Sequence, residues 1–157
     1  ADKASHAYGG RRTARTEIMF AKGGVVYVYL CYGIHHLFNV VTGAKDVPHA
    51  VLIRAIEPIE GKEIMMQRLG INKWHADSGG GPGKLTRALG IRVEDSGFSL
   101  RSDQLFIAED GFVPEKIIAT PRIGVDYAGE DALLPYRFVV SGHRGISAQS
   151  FTKKFIA

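Results

Sequence analysis

The sequence feature that most constrains the fold is a pair of strand-like runs joined by a short segment that contains glycine. Residues 25–31 and 36–42 are rich in β-branched and aromatic side chains, and Tyr32-Gly33-Ile34 interrupts them. Such runs favour β-strands, and two strands separated by a few residues that include glycine form a hairpin. The sequence therefore predicts an antiparallel hairpin over residues 25–42.

The residue at the tip of this hairpin is unusual. Hairpin tips are ordinarily built from Asn, Asp or Gly, whereas this one begins with Tyr32. An exposed aromatic tip suits a wedge that inserts into a partner, for example between stacked base pairs. On the preceding strand Tyr27 and Tyr29 share one face, and Val26 and Val28 share the other. The two tyrosines are either half-buried strand residues or part of a binding surface.

The rest of the chain predicts one mixed domain. Proline near the start and glycine at the end favour helices over residues 58–69 and 82–90. Of the 157 residues 45% are hydrophobic and 23% are charged, which is typical of one globular domain, and no apolar run is long enough to span a membrane. We predict a single α+β domain over residues 1–157 with a mostly antiparallel sheet. Further strands are expected in residues 50–55, 105–108, 116–119, 122–125 and 137–140.

Basic residues are concentrated near the start of the chain. The net charge is +4, and the densest basic run holds Arg11, Arg12 and Arg15, with Thr13 in the same segment. Such a cluster indicates either a surface for a polyanion or a solvated basic loop. Charge alone leaves both interpretations open.

Two polar residues lie within apolar strand sequence. Asn39 and Arg54 each interrupt a hydrophobic run, and burying either without partners is unfavourable. Each alone fits an ordinary sheet edge. Together with Tyr29 on a neighbouring strand, they predict a shared polar pocket.

The sequence does not predict a metal site. Cys31 is the only cysteine, and His35 and His36 are adjacent, so on a strand they point to opposite faces. Cys31, His49 and His75 show no ligand spacing either. We therefore expect no bound metal.

A glycine-rich segment precedes the second predicted helix. It departs from the phosphate-loop pattern, because Ser78 stands where the first glycine is required and Leu85 where Ser or Thr is required. A glycine loop that opens a helix still offers backbone N–H groups to a phosphate. Gly83 and Lys84 are therefore candidates for contact with a phosphate, including one of a DNA backbone.

Short motifs that occur in order over nearly the whole chain resemble those of the alkyladenine (3-methyladenine) DNA glycosylases. The resemblance implies a compact domain around a curved, mostly antiparallel, open-barrel-like sheet, with a projecting hairpin and a few short helices. The motifs are Asp2-Lys3-Ala4-Ser5-His6-Ala7, Met19-Phe20, Tyr27-Val28-Tyr29 with Tyr32-Gly33, Asn39-Val40-Val41-Thr42, Val51-Leu52-Ile53-Arg54-Ala55 with Glu57-Pro58, Gly81-Pro82-Gly83-Lys84-Leu85, Arg122-Ile123-Gly124, and Pro135 with Arg137-Phe138.

The same resemblance implies roles for individual residues. His6 and Tyr29 would form one wall of a pocket for an extruded base, and Asn39 would disfavour the exocyclic amino group of guanine. Tyr32 would fill the space that the flipped nucleotide leaves, and Arg54 would position the attacking water. The residues expected to contact DNA are Tyr32, Ile34, His35, Arg11, Arg12, Thr13, Gly83 and Lys84.

One catalytic residue is expected outside these residues. In the family a glutamate acts as general base and an aromatic residue forms the other pocket wall, and both precede the segment that matches residues 2–6. The resemblance thus implies that the family's N-terminal segment, with this glutamate, lies upstream of Ala1. Glu17 and Glu57 are the nearest substitutes within the chain. Without the upstream glutamate the chain is expected to be catalytically incomplete.

The implied activity is hydrolysis of the N-glycosidic bond of alkylated purines in duplex DNA, in base-excision repair. The resemblance implies a monomeric, monofunctional glycosylase with no cofactor, no metal and no membrane partner. Its expected location is the cytoplasm, with the nucleoid, in a bacterium or the nucleus in a eukaryote. Two alternatives stay open: a non-catalytic module that binds damaged DNA, and a domain that binds RNA and prefers single strands.

Overall fold

The predicted hairpin lies at the centre of a three-stranded antiparallel sheet. The structure, a computed structural model, describes residues 2–155. Strands β1 (Val26–Cys31) and β2 (His35–Val41) pair with Val26 opposite Val40 and Cys31 opposite His35. Strand β3 (Ala50–Leu52) pairs with β2, so the strand order is β1-β2-β3.

A second, two-stranded antiparallel sheet and short helices complete the domain. The second sheet holds β4 (Ile117–Thr120) and β5 (Arg137–Val140). The α-helices are α1 (Lys62–Leu69), α2 (Pro82–Leu89) and α3 (Gln149–Thr152). Short 3₁₀ segments are Tyr8–Gly10, Glu17–Phe20, Val93–Asp95, Asp126–Leu133 and Lys153–Phe155. The predicted α+β class with antiparallel sheets is confirmed, and no helix within residues 2–155 is long and apolar enough to cross a membrane.

The larger sheet is covered on both faces, which explains the alternation in β1. One face packs apolar strand residues against α2 and the loops that follow it, and its buried members are Val26, Val28, Phe38, Leu85, Ile91 and Leu100. The other face packs against the first twenty residues, and its buried members are Ala7, Met19, Phe20, Tyr27 and Val41. The predicted separation of Tyr27 from Val26 and Val28 is therefore confirmed.

Several predicted boundaries are wrong. Residues 105–108 and 122–125 are not strands: the first segment forms only an isolated bridge between Arg101 and Phe106. The second follows Pro121 and contains Gly124 at φ 77°, which breaks an extended backbone. The first helix starts at Lys62 rather than at residue 58.

The third predicted strand ends early because the chain changes partner. Regular pairing with β2 stops at Leu52, and the carbonyl of Arg54 then accepts a hydrogen bond from the Gly81 N–H at 2.8 Å. Ala55 forms an isolated bridge with Gly80. This switch places Arg54 beside the loop that leads into α2.

Candidate functional site

The hairpin tip presents Tyr32 to solvent. Tyr32 and Ile34 are 92% and 71% exposed, and the Ile34 N–H donates to the Cys31 carbonyl at 3.2 Å. Tyr32 and Gly33 have φ of 52° and 73°, so two successive residues adopt the left-handed conformation. Such turns normally use Asn and Gly. The predicted exposed aromatic tip is confirmed, and its contact with DNA stays a prediction.

Three aromatic rings, His6, Tyr27 and Tyr29, cluster on the face of β1 that carries the tyrosines; we call them the aromatic niche. The centroids of His6 and Tyr29 are 4.4 Å apart with the rings nearly perpendicular, and those of Tyr27 and Tyr29 are 5.7 Å apart. Burial, with a smaller contribution from the charge of Arg15, lowers the pKa of His6 to about 4. Burial also raises the pKa of Tyr29 to about 12. At neutral pH the niche is therefore lined by uncharged rings.

Arg15 is the residue at this site whose position the sequence analysis missed. Its guanidinium carbon lies 5.0 Å from the centroid of the Tyr29 ring, and its Nη2 lies 2.9 Å from His6 Nε2 and 3.1 Å from Nδ1. Since arginine only donates, an unprotonated ring nitrogen of His6 accepts its hydrogen bond. Nδ1 of His6 also forms a hydrogen bond with the Tyr27 hydroxyl at 2.8 Å. The sequence placed Arg15 only in the basic run.

Asn39 lies next to the niche but is almost closed to solvent. It is 6% exposed, and its Nδ2 donates to the carbonyls of Tyr27 and Leu37 at 3.1 and 3.0 Å. The register places it directly opposite Tyr27. Both amide hydrogens are thus bound by the backbone, so exclusion of an amino group by this side chain would be steric.

Arg54 is half-buried on the same side of the sheet. Burial lowers the pKa of its guanidinium, and the Tyr29 hydroxyl acts in the opposite direction. Its Nε is buried and has no hydrogen-bond partner within residues 2–155. A cavity of about 710 Å³ opens beside Tyr29 and Arg15, but neither Asn39 nor Arg54 lines it. Of Tyr29, Asn39 and Arg54, only Tyr29 faces this cavity, and a polar pocket shared by the three stays a prediction.

The residues expected to contact DNA fall into two groups, and the first surrounds Arg12. Arg12 donates to Glu17 at 2.9 Å and also to Asp46, and it stacks over Phe20. Asp46 follows β2, at the end of the hairpin opposite Tyr32. Arg11 is exposed, and Thr13 closes a turn with Thr16. The charge of Arg12 is thus already balanced within the protein.

The second group lies where α2 meets the base of the hairpin tip. A Cβ added at Gly83 would lie 3.2 Å from His35 Nδ1, so glycine permits this close approach. The exposed Lys84 side chain is 3.8 Å from an Asp77 carboxylate oxygen. His35 and Gly83 therefore share one surface with Tyr32 and Ile34.

Each of the two carboxylates considered as substitutes for a general base pairs with a cation. Glu17 accepts from Arg12 at 2.9 Å, and Glu57 pairs with His143 at 3.0 Å. Within residues 2–155 no carboxylate makes an ion pair with Arg15 or Arg54. Of the two, Glu17 borders the cavity beside Tyr29, where its ion pair with Arg12 holds it.

Comparison with known proteins places this sequence in a family. Residues 1–144 match the methylpurine-DNA glycosylase family. A protein of Bacillus thuringiensis (strain Al Hakam) is 50% identical, with 93% of this chain and 76% of that protein covered. A protein of Chlamydia pneumoniae is 48% identical, with 89% and 71% covered. Both carry the provisional name 3-methyladenine DNA glycosylase. The chain therefore belongs to the methylpurine-DNA glycosylase family, as its motifs predicted.

Proposed function

We propose that this protein removes alkylated purines of the 3-methyladenine type from duplex DNA as the first step of base-excision repair. The observation that carries the proposal is the exposed Tyr32 at the tip of the hairpin whose first strand carries Tyr27 and Tyr29 of the aromatic niche. Tyr29 precedes Tyr32 by only three residues, so wedge and niche lie close together on one hairpin. An enzyme that acts on a base must extrude it from the stack, and a wedge that fills the gap holds the extruded state.

The chemistry of the niche fits a positively charged base. An alkylated purine carries a positive charge, and the faces of neutral tyrosine and histidine rings attract cations by about 0.5–2 kcal/mol each. His6 stays neutral because its pKa is lowered to about 4. Alkylation also makes the purine a better leaving group, so selectivity arises in the chemical step as well as in binding.

In the proposed reaction, water adds to the sugar C1′ while the bond from C1′ to the purine nitrogen breaks. The free purine leaves and the DNA retains an abasic deoxyribose. A carboxylate removes the proton from the water, and the Arg54 guanidinium, with its unpartnered Nε, positions that water. Glu17 and Glu57 each pair with a cation, so we assign this proton transfer to the upstream glutamate that the family resemblance implies. No lysine belongs to the pocket motifs, so we expect no lyase step.

Duplex DNA would lie across the tip surface. Ile34 and His35 would follow the wedge into the minor groove, and the start of α2 at Gly83 and Lys84 would meet a backbone phosphate. Arg11, Arg12 and Thr13 would add phosphate contacts further along the duplex. We expect the protein to act as a monomer, without metal or cofactor.

The test is release of free 3-methyladenine from alkylated duplex DNA by the full-length protein. We expect release by the wild-type protein and at least about fivefold slower release by Tyr32→Ala, the loss of one stacking contact. Phe112→Ala removes a ring that is 70% exposed in a loop outside the predicted site and should not change the rate. No release, with intact binding to a duplex that carries an abasic-site analogue, would refute hydrolysis and favour the non-catalytic binding module.

A further inference from the structure

The guanidinium of Arg15 occupies the place that an extruded base would need. It lies over the Tyr29 ring at 5.0 Å and within 2.9 Å of His6 Nε2. A base that contacts both Tyr29 and His6 meets this group, because the guanidinium already touches both rings. Arg15 must therefore leave before the aromatic niche can hold a base.

The contacts that keep Arg15 in the niche are exchangeable. Its partners are a neutral imidazole and a neutral ring, whereas its neighbour Arg12 is held by the carboxylates of Glu17 and Asp46. Within residues 2–155 Arg15 makes no ion pair. The side chain is exposed and borders the 710 Å³ cavity beside Tyr29, so it can swing out without movement of the backbone.

We propose that Arg15 is a gate coupled to DNA: it closes the aromatic niche in the free protein and moves onto a backbone phosphate when duplex DNA binds. This inference rests on the proposed function. A guanidinium binds phosphate through charge-assisted hydrogen bonds, which are about twice as strong as neutral ones. Arg15 also belongs to the same basic segment as Arg11, so a phosphate is the anion that this loop is expected to meet.

The gate predicts opposite effects of Arg15 on two kinds of ligand. A ligand that enters the niche without DNA must displace the guanidinium. The ligand's apparent affinity is therefore reduced in proportion to the fraction of protein in which the niche is open. Duplex DNA instead gains the guanidinium as a phosphate contact. Removal of Arg15 should therefore strengthen binding of a free cationic nucleoside and weaken binding of DNA.

The experiment compares full-length wild-type protein with Arg15→Gln and with Arg11→Gln, which removes the same charge from the same segment. The first probe is 7-methylguanosine at mildly acidic pH, where it is cationic. We expect Arg15→Gln to bind it about three- to tenfold more tightly than wild type. Arg11→Gln should bind it as wild type does. Equal or weaker binding by Arg15→Gln would overturn the gate.

The second probe is a duplex with an abasic-site analogue, which brings no base into the niche. We expect Arg15→Gln and Arg11→Gln both to bind it less tightly, each with a salt dependence reduced by about one phosphate contact. An unchanged salt dependence in Arg15→Gln would overturn the predicted phosphate contact. Equal urea midpoints for the three proteins exclude misfolding as the cause.

NMR of the Arg15 side chain gives a readout independent of activity. In the free protein its Cδ and Nε protons should show the upfield ring-current shift of a group over Tyr29, and the shift should vanish when duplex DNA is added. A shift that is absent in the free protein, or that persists in the complex, overturns the gate. If that occurs while 3-methyladenine is still released, the proposed function stands; if the shift vanishes but no base is released, only the proposed function fails.

Discussion

The conformation of Tyr32 predicts that the hairpin tip is strained and that the strain serves DNA binding. At φ 52° an L-residue other than Asn, Asp or Gly is destabilised by roughly 1–2 kcal/mol. The ring is 92% exposed, so little packing compensates within the protein. Strain of this kind persists where the site requires that particular side chain.

Tyr32→Asn should therefore raise the free energy of unfolding by about 1 kcal/mol, because Asn tolerates the left-handed conformation and removal of the exposed ring loses little packing. For a chain of this size that corresponds to a Tm increase of about 2–4 °C. The measurement is thermal and urea unfolding followed by circular dichroism. Ile34→Asn is the matched control, since Ile34 is exposed at the same tip but lies outside the left-handed region.

The same substitution should weaken the complex with damaged DNA. A duplex with an abasic-site analogue should dissociate several times faster from Tyr32→Asn than from wild type, because the stacking contact is lost. A decrease in stability would refute the strain argument. Increased stability with unchanged dissociation would instead refute the role of Tyr32 as a wedge.

Three further predictions concern His6, the start of α2 and the basic loop. The pKa of His6 is lowered to about 4, so between about pH 6.5 and pH 4 the unfolded chain binds a proton that the folded chain does not bind. The free energy of unfolding should therefore have its full value above about pH 6.5 and decrease by about 2 kcal/mol as the pH falls to about 4. His6→Gln should remove that part of the pH dependence in urea titrations. Gly83→Ala should raise the unfolding free energy by about 0.5 kcal/mol, since helix propensity improves and the exposed His35 ring can move, yet it should lower DNA affinity in anisotropy titrations. Arg11→Gln should reduce the salt dependence of DNA binding by about one phosphate contact, and Arg12→Gln by less, because Arg12 is paired with two carboxylates.

The hairpin and its faces could be predicted because they follow from local pattern. Alternation along residues 26–30 assigns each side chain to a face, and the segment at Tyr32 and Gly33 marks the turn. Residues 105–108 and 122–125 also contain short apolar stretches, but neither segment pairs as a regular strand. Pairing partners are set by the tertiary fold, so such runs are ambiguous in the sequence.

The composition of the site was only partly predictable for a related reason. Tyr29 and Asn39 lie on paired strands, so strand register brings them near each other. Arg15 reaches Tyr29 because the segment before Glu17–Phe20 packs across β1, a contact between distant parts of the chain. The sequence signal that could have suggested this contact is the position of Arg15 shortly before the strand that carries Tyr27 and Tyr29.

Within residues 2–155 the arginines differ in whether a carboxylate balances their charge. Arg12 is balanced by Glu17 and Asp46, and Arg122 by Asp2 at 2.5 Å, so these charges serve the fold. Arg137 is different: it is 2% exposed, it donates only to neutral oxygens, and burial together with the charge of Arg54 lowers its pKa. Within residues 2–155 neither Arg15, which lies over the Tyr29 ring, nor Arg54, on which the Tyr29 hydroxyl acts, makes an ion pair.

Arg54 and Arg137 are unfavourable in a protein that stays alone, because burial removes water from charges that no carboxylate balances. A polyanion at the mouth of the niche, or a carboxylate from outside residues 2–155, would relieve that penalty. The balanced pairs add no net charge, so the positive field around Tyr29 comes from arginines that no carboxylate balances, chiefly Arg15 and Arg54. The duplex DNA of the proposed function would gain from that field, because its phosphates supply the balancing charge.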